Sequence, residues 1–279
     1  QRFEIFLIFA SKILQYMVRN DFIKIKDFFT LYTAQFHSDD PYFQQNIDLK
    51  RNHSYRVWEN TADLAQHLQC SGQEQILIET AGLLHDIGRF KQFEVYGTFS
   101  DKKSVNHAQL SVEVIRENNL LEDLDSAEQE SIITAVFNHN KKEIPDDLSK
   151  RDRLFVKILR DSDKLDIWKI VTDYYCQTEG TTNNTLQLDL PDEPEINPHN
   201  IEDLLQERMV DLQNLKTLND FKLLQIGWIY DLNFHRSYEI LKEKNYLESI
   251  FDTLPETPQI KKIRNKVREY LEIKTPPQD

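Results

Sequence analysis

The chain has 279 residues, enough for one large domain or two small ones with a substantial core. Six glycines are too few for a turn-dense β architecture, and the 39% hydrophobic and 29% charged fractions are those of an ordinary globular protein. The formal net charge of −13 argues against long nucleic acid or an anionic membrane as partner. It still admits a small phosphorylated ligand, because a bound metal reverses the local field.

The chain reads as helix almost throughout. Residues 1–49 are expected to form an N-terminal helical segment, in which the longest apolar stretch, Phe3–Ala10, is too short to span a bilayer. Residues 57–68 place Val57, Thr61, Leu64, Ala65 and Leu68 on one stripe, and 76–90 do the same with Leu77, Ala81, Leu84, His85 and Gly88. Further helices are expected over about 107–118, carrying Leu110 and Val114, and about 127–139, carrying Ile132, Val136 and His139. The strongest pattern is 152–175, where Val156, Leu159, Asp163, Ile167 and Ile170 share a face.

Residues 179–200 change character. They are rich in Thr, Asn, Pro and acids, and read as a loop or a short hairpin around Leu186–Leu190. Helical periodicity resumes at 201–213, 218–232, 234–245 and 259–272, before a tail (KTPPQD) that should fray. The sequence thus predicts an all-α protein: a core over 50–178, a loop over 179–200, and a helical extension over 201–279 packed on the core. That extension suits closing a pocket or forming a homodimer. Its cluster Trp228, Tyr230, Asp231, Asn233 and Phe234 fits a pocket wall or plain helix packing equally well.

Of the eight histidines, His53 (RNHSYRV), His85 (LLHDIGRF), His107 (VNHAQLS) and His139 (FNHNKK) lie inside predicted helices, and Asp86 and Asp163 (RDSDKLD) accompany them. His85, His139 and Asp163 sit on apolar stripes. An ionised carboxylate on the core face of a helix is costly unless paired or bound to a metal. Asp163 therefore needs a cation, and buried neutral histidines do not supply one. A divalent ion meets the need of the whole set, and nitrogen and oxygen donors suit Zn, Fe, Mn, Ni or Co, with Mg also admitted. Asp161, two residues earlier, points to another helix face. His37, His67, His199 and His235 read as core or surface residues.

The order His, His-Asp, His, His, Asp resembles the HD superfamily of metal-dependent phosphohydrolases. HSYRV is similar to the first histidine motif of that family, AGLLHDIGR to its HD motif and DSDKLD to its terminal ligand helix, with Ser162 where alanine is usual. The resemblance covers roughly residues 50–175 and implies an HD-domain helical bundle. It implies a first metal on His53, His85, Asp86 and Asp163, and a second held by Asp86, His107 and His139. It further implies hydrolysis of a phosphate monoester or diester, of a nucleotide or another small phosphorylated metabolite, by a hydroxide between two metal ions. Asp86 would be central to catalysis, with Arg56, Arg89 and Lys164, or Lys141 and Lys142, contacting the phosphate. The same ligand set also occurs in di-iron oxygenases, the alternative reading, and a non-catalytic sensor with a vestigial site is a third. Cys70 and Cys176 match no disulfide or zinc-ribbon spacing, so a reducing cytoplasm is the expected compartment.

Overall fold

Asp40 starts a long helix: its Oδ1 accepts from the backbone N–H of Tyr42 (2.8 Å) and Phe43 (3.1 Å), and Pro41 supplies a preset φ. In this computed structural model, which describes residues 22–176 and 184–276, the described residues contain helices and no strand. Residues 1–21, with the Phe3–Ala10 stretch, lie outside the described residues, as do 177–183 and the last three. No helix among the described residues is long and apolar enough to cross a membrane.

The chain divides into two compact units, ending and beginning at Asp163 and Lys164. In the first, α1 is helical over 22–34, α2 spans Pro41–His67, α3 Gly72–Leu84, α4 Gly88–Tyr96, α5 His107–Glu117 and α6 Ser126–Asn138. α7 (Lys150–Tyr175) runs across the division. α2 is longer than the 57–68 stripe because its first half, largely polar with Gln44, Gln45, Asp48, Lys50, Arg51 and Asn52, carries a narrower buried face, of which Asn46, Ile47, His53 and Ser54 are part. A capping box of Ser71 and Glu74 opens α3, and another of Asp125 and Glu128 opens α6. α3 packs between α2 and α6, and α5 packs on α4 and α6. Leu77, Ile78, Ala81, Leu83 and Leu84 are all buried, so α3 is central and apolar nearly all round.

The expected single helix over 76–90 is in fact two. α3 stops at Leu84 and α4 starts at Gly88, and His85, Asp86 and Ile87 form a tight turn in which Ile87 N–H donates to Leu84 O (3.1 Å) and Arg89 N–H to Asp86 O (2.9 Å). Helical periodicity persists through such a turn because its residues stay near helical backbone angles. Gly88 is required there. A Cβ on it would lie 2.5 Å from Ser111 N and 2.7 Å from Leu110 C, so only glycine lets α4 approach α5 this closely.

The second unit comprises the end of α7 with α8 (Asn184–Gln187), α9 (Pro198–Leu205), α10 (Leu218–Gly227), α11 (His235–Glu243), α12 (Tyr246–Phe251) and α13 (Pro258–Lys274). Its core is built from Leu165, Trp168, Leu204, Leu223, Ile226, Ile250 and Ile263, among others. Of the loop or short hairpin expected around Leu186–Leu190, residues 184–187 form a single helical turn. Two helix expectations are corrected. The helix expected over 201–213 ends at Leu205, where Glu207 takes a left-handed φ of 57°. The helix expected over 218–232 ends at Gly227 in a 3-10 turn, Trp228–Asp231. In the aromatic cluster there, Trp228 packs against Trp168 (centroids 6.1 Å) and Tyr230 against Tyr270 (4.9 Å), which is helix packing.

Candidate metal centre

His53 lies on the buried face of α2, His85 caps the C-terminus of α3, Asp86 follows in the turn, His107 opens α5, His139 caps α6, and Asp163 sits on α7. The fold converges these side chains. His53 Nε2 is 3.2 Å from His85 Nε2 and 3.2 Å from Asp163 Oδ1, and His85 Nε2 is 3.7 Å from the same oxygen. Asp86 faces both sides. Its Oδ2 is 3.5 Å from His53 Nε2 and 3.6 Å from His85 Nε2; its Oδ1 is 3.6 Å from His107 Nε2 and 3.8 Å from His139 Nε2. Three triads could each hold an ion, their ligand atoms within 4.8 Å of one another: His53, His85 and Asp86; His85, His139 and Asp163; and Asp86, His107 and His139. Asp161, fully buried on α7, belongs to none of them.

Local backbone sets the imidazole tautomers. Nδ1–H of His85 donates to Gly82 O (2.8 Å) and that of His139 to Val136 O (2.6 Å), each one turn back at a helix end. His107 Nδ1–H donates to Asp101 Oδ2 (2.7 Å). Each of these rings therefore presents an unprotonated Nε2 to the centre. Nε2 of His107 and of His139 stand only 3.0 Å apart. Two lone pairs at that distance repel, and a cation relieves the repulsion. Asp86 Oδ1 adds to the case: it is buried and accepts no hydrogen bond, with only the longer ion pair to Arg89 Nε (3.4 Å) against the cost of its burial. The donor set, with an Asp86 oxygen that accepts no hydrogen bond, fits divalent metal.

The electrostatics agree. Burial, then the neighbouring His107 and His85, push His139 down to about 3. Burial and Arg89 likewise lower His107, against the opposing pull of Asp101. Both rings are thus neutral at neutral pH, the form that ligates. Burial alone would raise the Asp86 carboxyl, but Lys50, His85 and Arg89 outweigh it and hold Asp86 well below the usual carboxylate range. At Asp163 burial is likewise outweighed, first by the hydrogen bond from His53.

The cations expected around the site find specific partners. Arg89 is largely buried, with Nε 3.4 Å from Asp86 Oδ1, and Nη1 donates to Gln92 Oε1 (2.8 Å) and Phe99 O (2.5 Å) and pairs with Asp101 Oδ1 (3.2 Å). Lys164 Nζ pairs with Asp231 at 2.5 Å within the second unit. Arg56 is half-buried one turn beyond His53, and Lys141 and Lys142 are exposed. Sequence reasoning missed Lys50, whose Nζ is 2.8 Å from Asp86 Oδ2, and Asp101, which holds His107. Lys50 was findable: it lies three residues before His53, on the same face of α2. Asp101, in a 3-10 turn of a loop, carries no periodic signal.

Residues 51–168 match the family model of the HD domain. No curated protein and no solved structure matches the chain. HD domains are all-α and bind divalent metals, and the His and Asp groups of this cluster could hold such ions. The match spans every side chain of the centre, from His53 to Asp163, so the part of the chain that carries the cluster is the part similar to the HD domain.

Proposed function

We propose that this chain is a metal-dependent phosphohydrolase whose HD domain holds two divalent transition-metal ions and cleaves a phosphate monoester or diester of a small metabolite, a nucleotide being the first choice. The observation that carries the reading is Asp86. One carboxylate turns one oxygen to His53 and His85 and the other to His107 and His139, the arrangement of a shared ligand between two sites. His53, His85, Asp86 and Asp163 would hold one ion, and Asp86, His107 and His139 the other. Paired divalent cations supply Lewis acidity to phosphoryl oxygens and activate water near neutral pH.

The chain's own groups do the rest. The locked tautomers of His85, His107 and His139 preorganise the donors, so little reorganisation accompanies binding. Lys50 makes one hydrogen bond, to Asp86, and its ammonium has N–H groups left for a phosphoryl oxygen. Arg89 is taken up by Asp86, Asp101, Gln92 and the Phe99 carbonyl, so its part is to hold the acids rather than to clamp substrate. Lys50, with Arg56 as a second cation, is the better candidate for phosphate contact. The net charge of −13 favours a small substrate over a polyanion.

The test is metal analysis of the purified protein, followed by assay of p-nitrophenyl phosphate, bis(p-nitrophenyl) phosphate and a nucleotide panel with Mn²⁺ in the absence of oxygen. Turnover without oxygen, lost together with bound metal in Asp86→Ala, is the expected result. Turnover that needs both iron and oxygen would replace the hydrolase reading by the oxygenase. An active Asp86→Ala enzyme would remove the site altogether.

A further inference from the structure

His85 and His139 are oriented by backbone carbonyls of their own helices, which no side-chain change can remove. His107 is different, because its Nδ1–H rests on a side chain, Asp101 Oδ2, at 2.7 Å. The other oxygen of Asp101 accepts from Gln92 Nε2 (3.1 Å) and pairs with Arg89 Nη1 (3.2 Å). The same two residues of α4 fasten the loop that leads to α5: Gln92 Nε2 reaches Ser104 Oγ (2.8 Å) and Val105 O (2.9 Å), and Arg89 Nη1 reaches Phe99 O (2.5 Å). Arg89 Nε also stands 3.4 Å from Asp86 Oδ1, the oxygen turned to His107. A single bracket, Arg89–Asp101–Gln92, therefore sets both His107 and the Asp86 oxygen beside it. No hydrogen bond or ion pair of Asp101 involves His53, His85 or Asp163.

We infer that Asp101 is a positioning residue that sets the affinity of the Asp86–His107–His139 half for its ion, separately from the half built on His53. The inference rests on the two-ion reading above. It makes the second ion the adjustable one, since its geometry depends on a loop and the geometry of the first does not. Asp101→Asn is the informative change. Its amide oxygen can still accept from Arg89 and Gln92, which turns the NH₂ toward His107 Nδ1. Nδ1 must then accept, the proton moves to Nε2, and the ring presents N–H where a ligand lone pair is needed.

The experiment is calorimetric titration of the metal-free full chain with Mn²⁺, for the natural sequence and for Asp101→Asn, with ¹⁵N NMR of the histidine rings. The natural protein should bind two equivalents. Asp101→Asn should keep one of them unchanged and bind the other about 10- to 100-fold more weakly. The His107 ring should show Nδ1–H in the natural protein and Nε2–H in the variant, a tautomer change that general loosening of the loop would not produce. Asp101→Glu, which keeps a carboxylate, should recover part of the lost affinity. If the natural protein binds no metal, the two-ion reading fails. If it binds metal and Asp101→Asn binds it equally well, or loses both equivalents together, Asp101 does not have this role. Should Asp101→Asn not fold, the tautomer in the natural protein decides, and Nε2–H on His107 overturns the inference.

Discussion

Lys50 Nζ lies 2.8 Å from Asp86 Oδ2, and the two side chains are only 16% and 4% exposed. An ammonium thus stands where a metal ion would share the same oxygen. Coulomb attraction and the hydrogen bond offset the burial cost of the carboxylate, whose other oxygen accepts no hydrogen bond and has Arg89 Nε at 3.4 Å.

Lys50→Met should therefore destabilise the metal-free protein by about 1–3 kcal/mol, the range for losing a hydrogen bond to a buried charge. Divalent metal should raise the melting temperature of this variant more than that of the natural protein, because the ion restores the missing positive charge and no longer shares Oδ2 with an ammonium. Thermal melts with and without Mn²⁺ measure both effects. Equal metal-free stability of the two proteins would show that the pair contributes nothing.

The lowered histidines fix the pH response of the metal-free protein. His139 titrates at about 3 when folded and at about 6.5 when unfolded. The unfolded chain thus binds more protons between these values, and stability is lost as pH falls from 6.5 toward 3. His107 acts with the same sign. Asp86 and Asp163, held well below their ordinary value, add a further loss once pH drops below about 4. The slope from His139 alone reaches about 1.4 kcal/mol per pH unit. Urea midpoints at pH 7, 6 and 5 should fall in that order, and His139→Asn should flatten the fall. A midpoint constant from pH 7 to pH 5 would contradict the neutral, buried state of these rings.

What the sequence made legible followed periodicity. His85, His139 and Asp163 stood on apolar stripes, and the all-α class followed from the same pattern. The turn at His85–Asp86–Ile87 was hidden because it keeps near-helical backbone angles, so the stripe runs on through it. Lys50 was within reach, three residues before His53 on the same helix face, but only the fold shows that it aims at a buried acid. Asp101 was out of reach for another reason. It sits in a loop and acts through a partner six residues on, a relation that only the folded chain creates. Around Leu186–Leu190, turn-rich composition could not distinguish a hairpin from the single helical turn that forms.

Gly88 links packing to chemistry. Its N–H donates to Ser111 Oγ (2.9 Å), and its missing Cβ leaves room for the α5 backbone at Leu110 and Ser111. Those neighbours are main-chain atoms, which cannot rotate away as a side-chain tip could. Gly88→Ala should push α4 from α5, separating Asp86, two residues before, from His107 at the start of α5. The expected cost is about 1–3 kcal/mol, as for overpacking a filled core, with weaker metal binding alongside. Gly97→Ala is the control. Gly97 has a left-handed φ of 63°, yet no atom within 4 Å of the added Cβ, so its cost is the backbone strain alone, about 1–2 kcal/mol. The two variants can thus lose similar stability while only Gly88→Ala loses metal affinity. Chemical denaturation paired with Mn²⁺ titration separates them. If Gly97→Ala weakened metal binding as much, the effect would belong to general destabilisation and not to the closeness of α4 and α5.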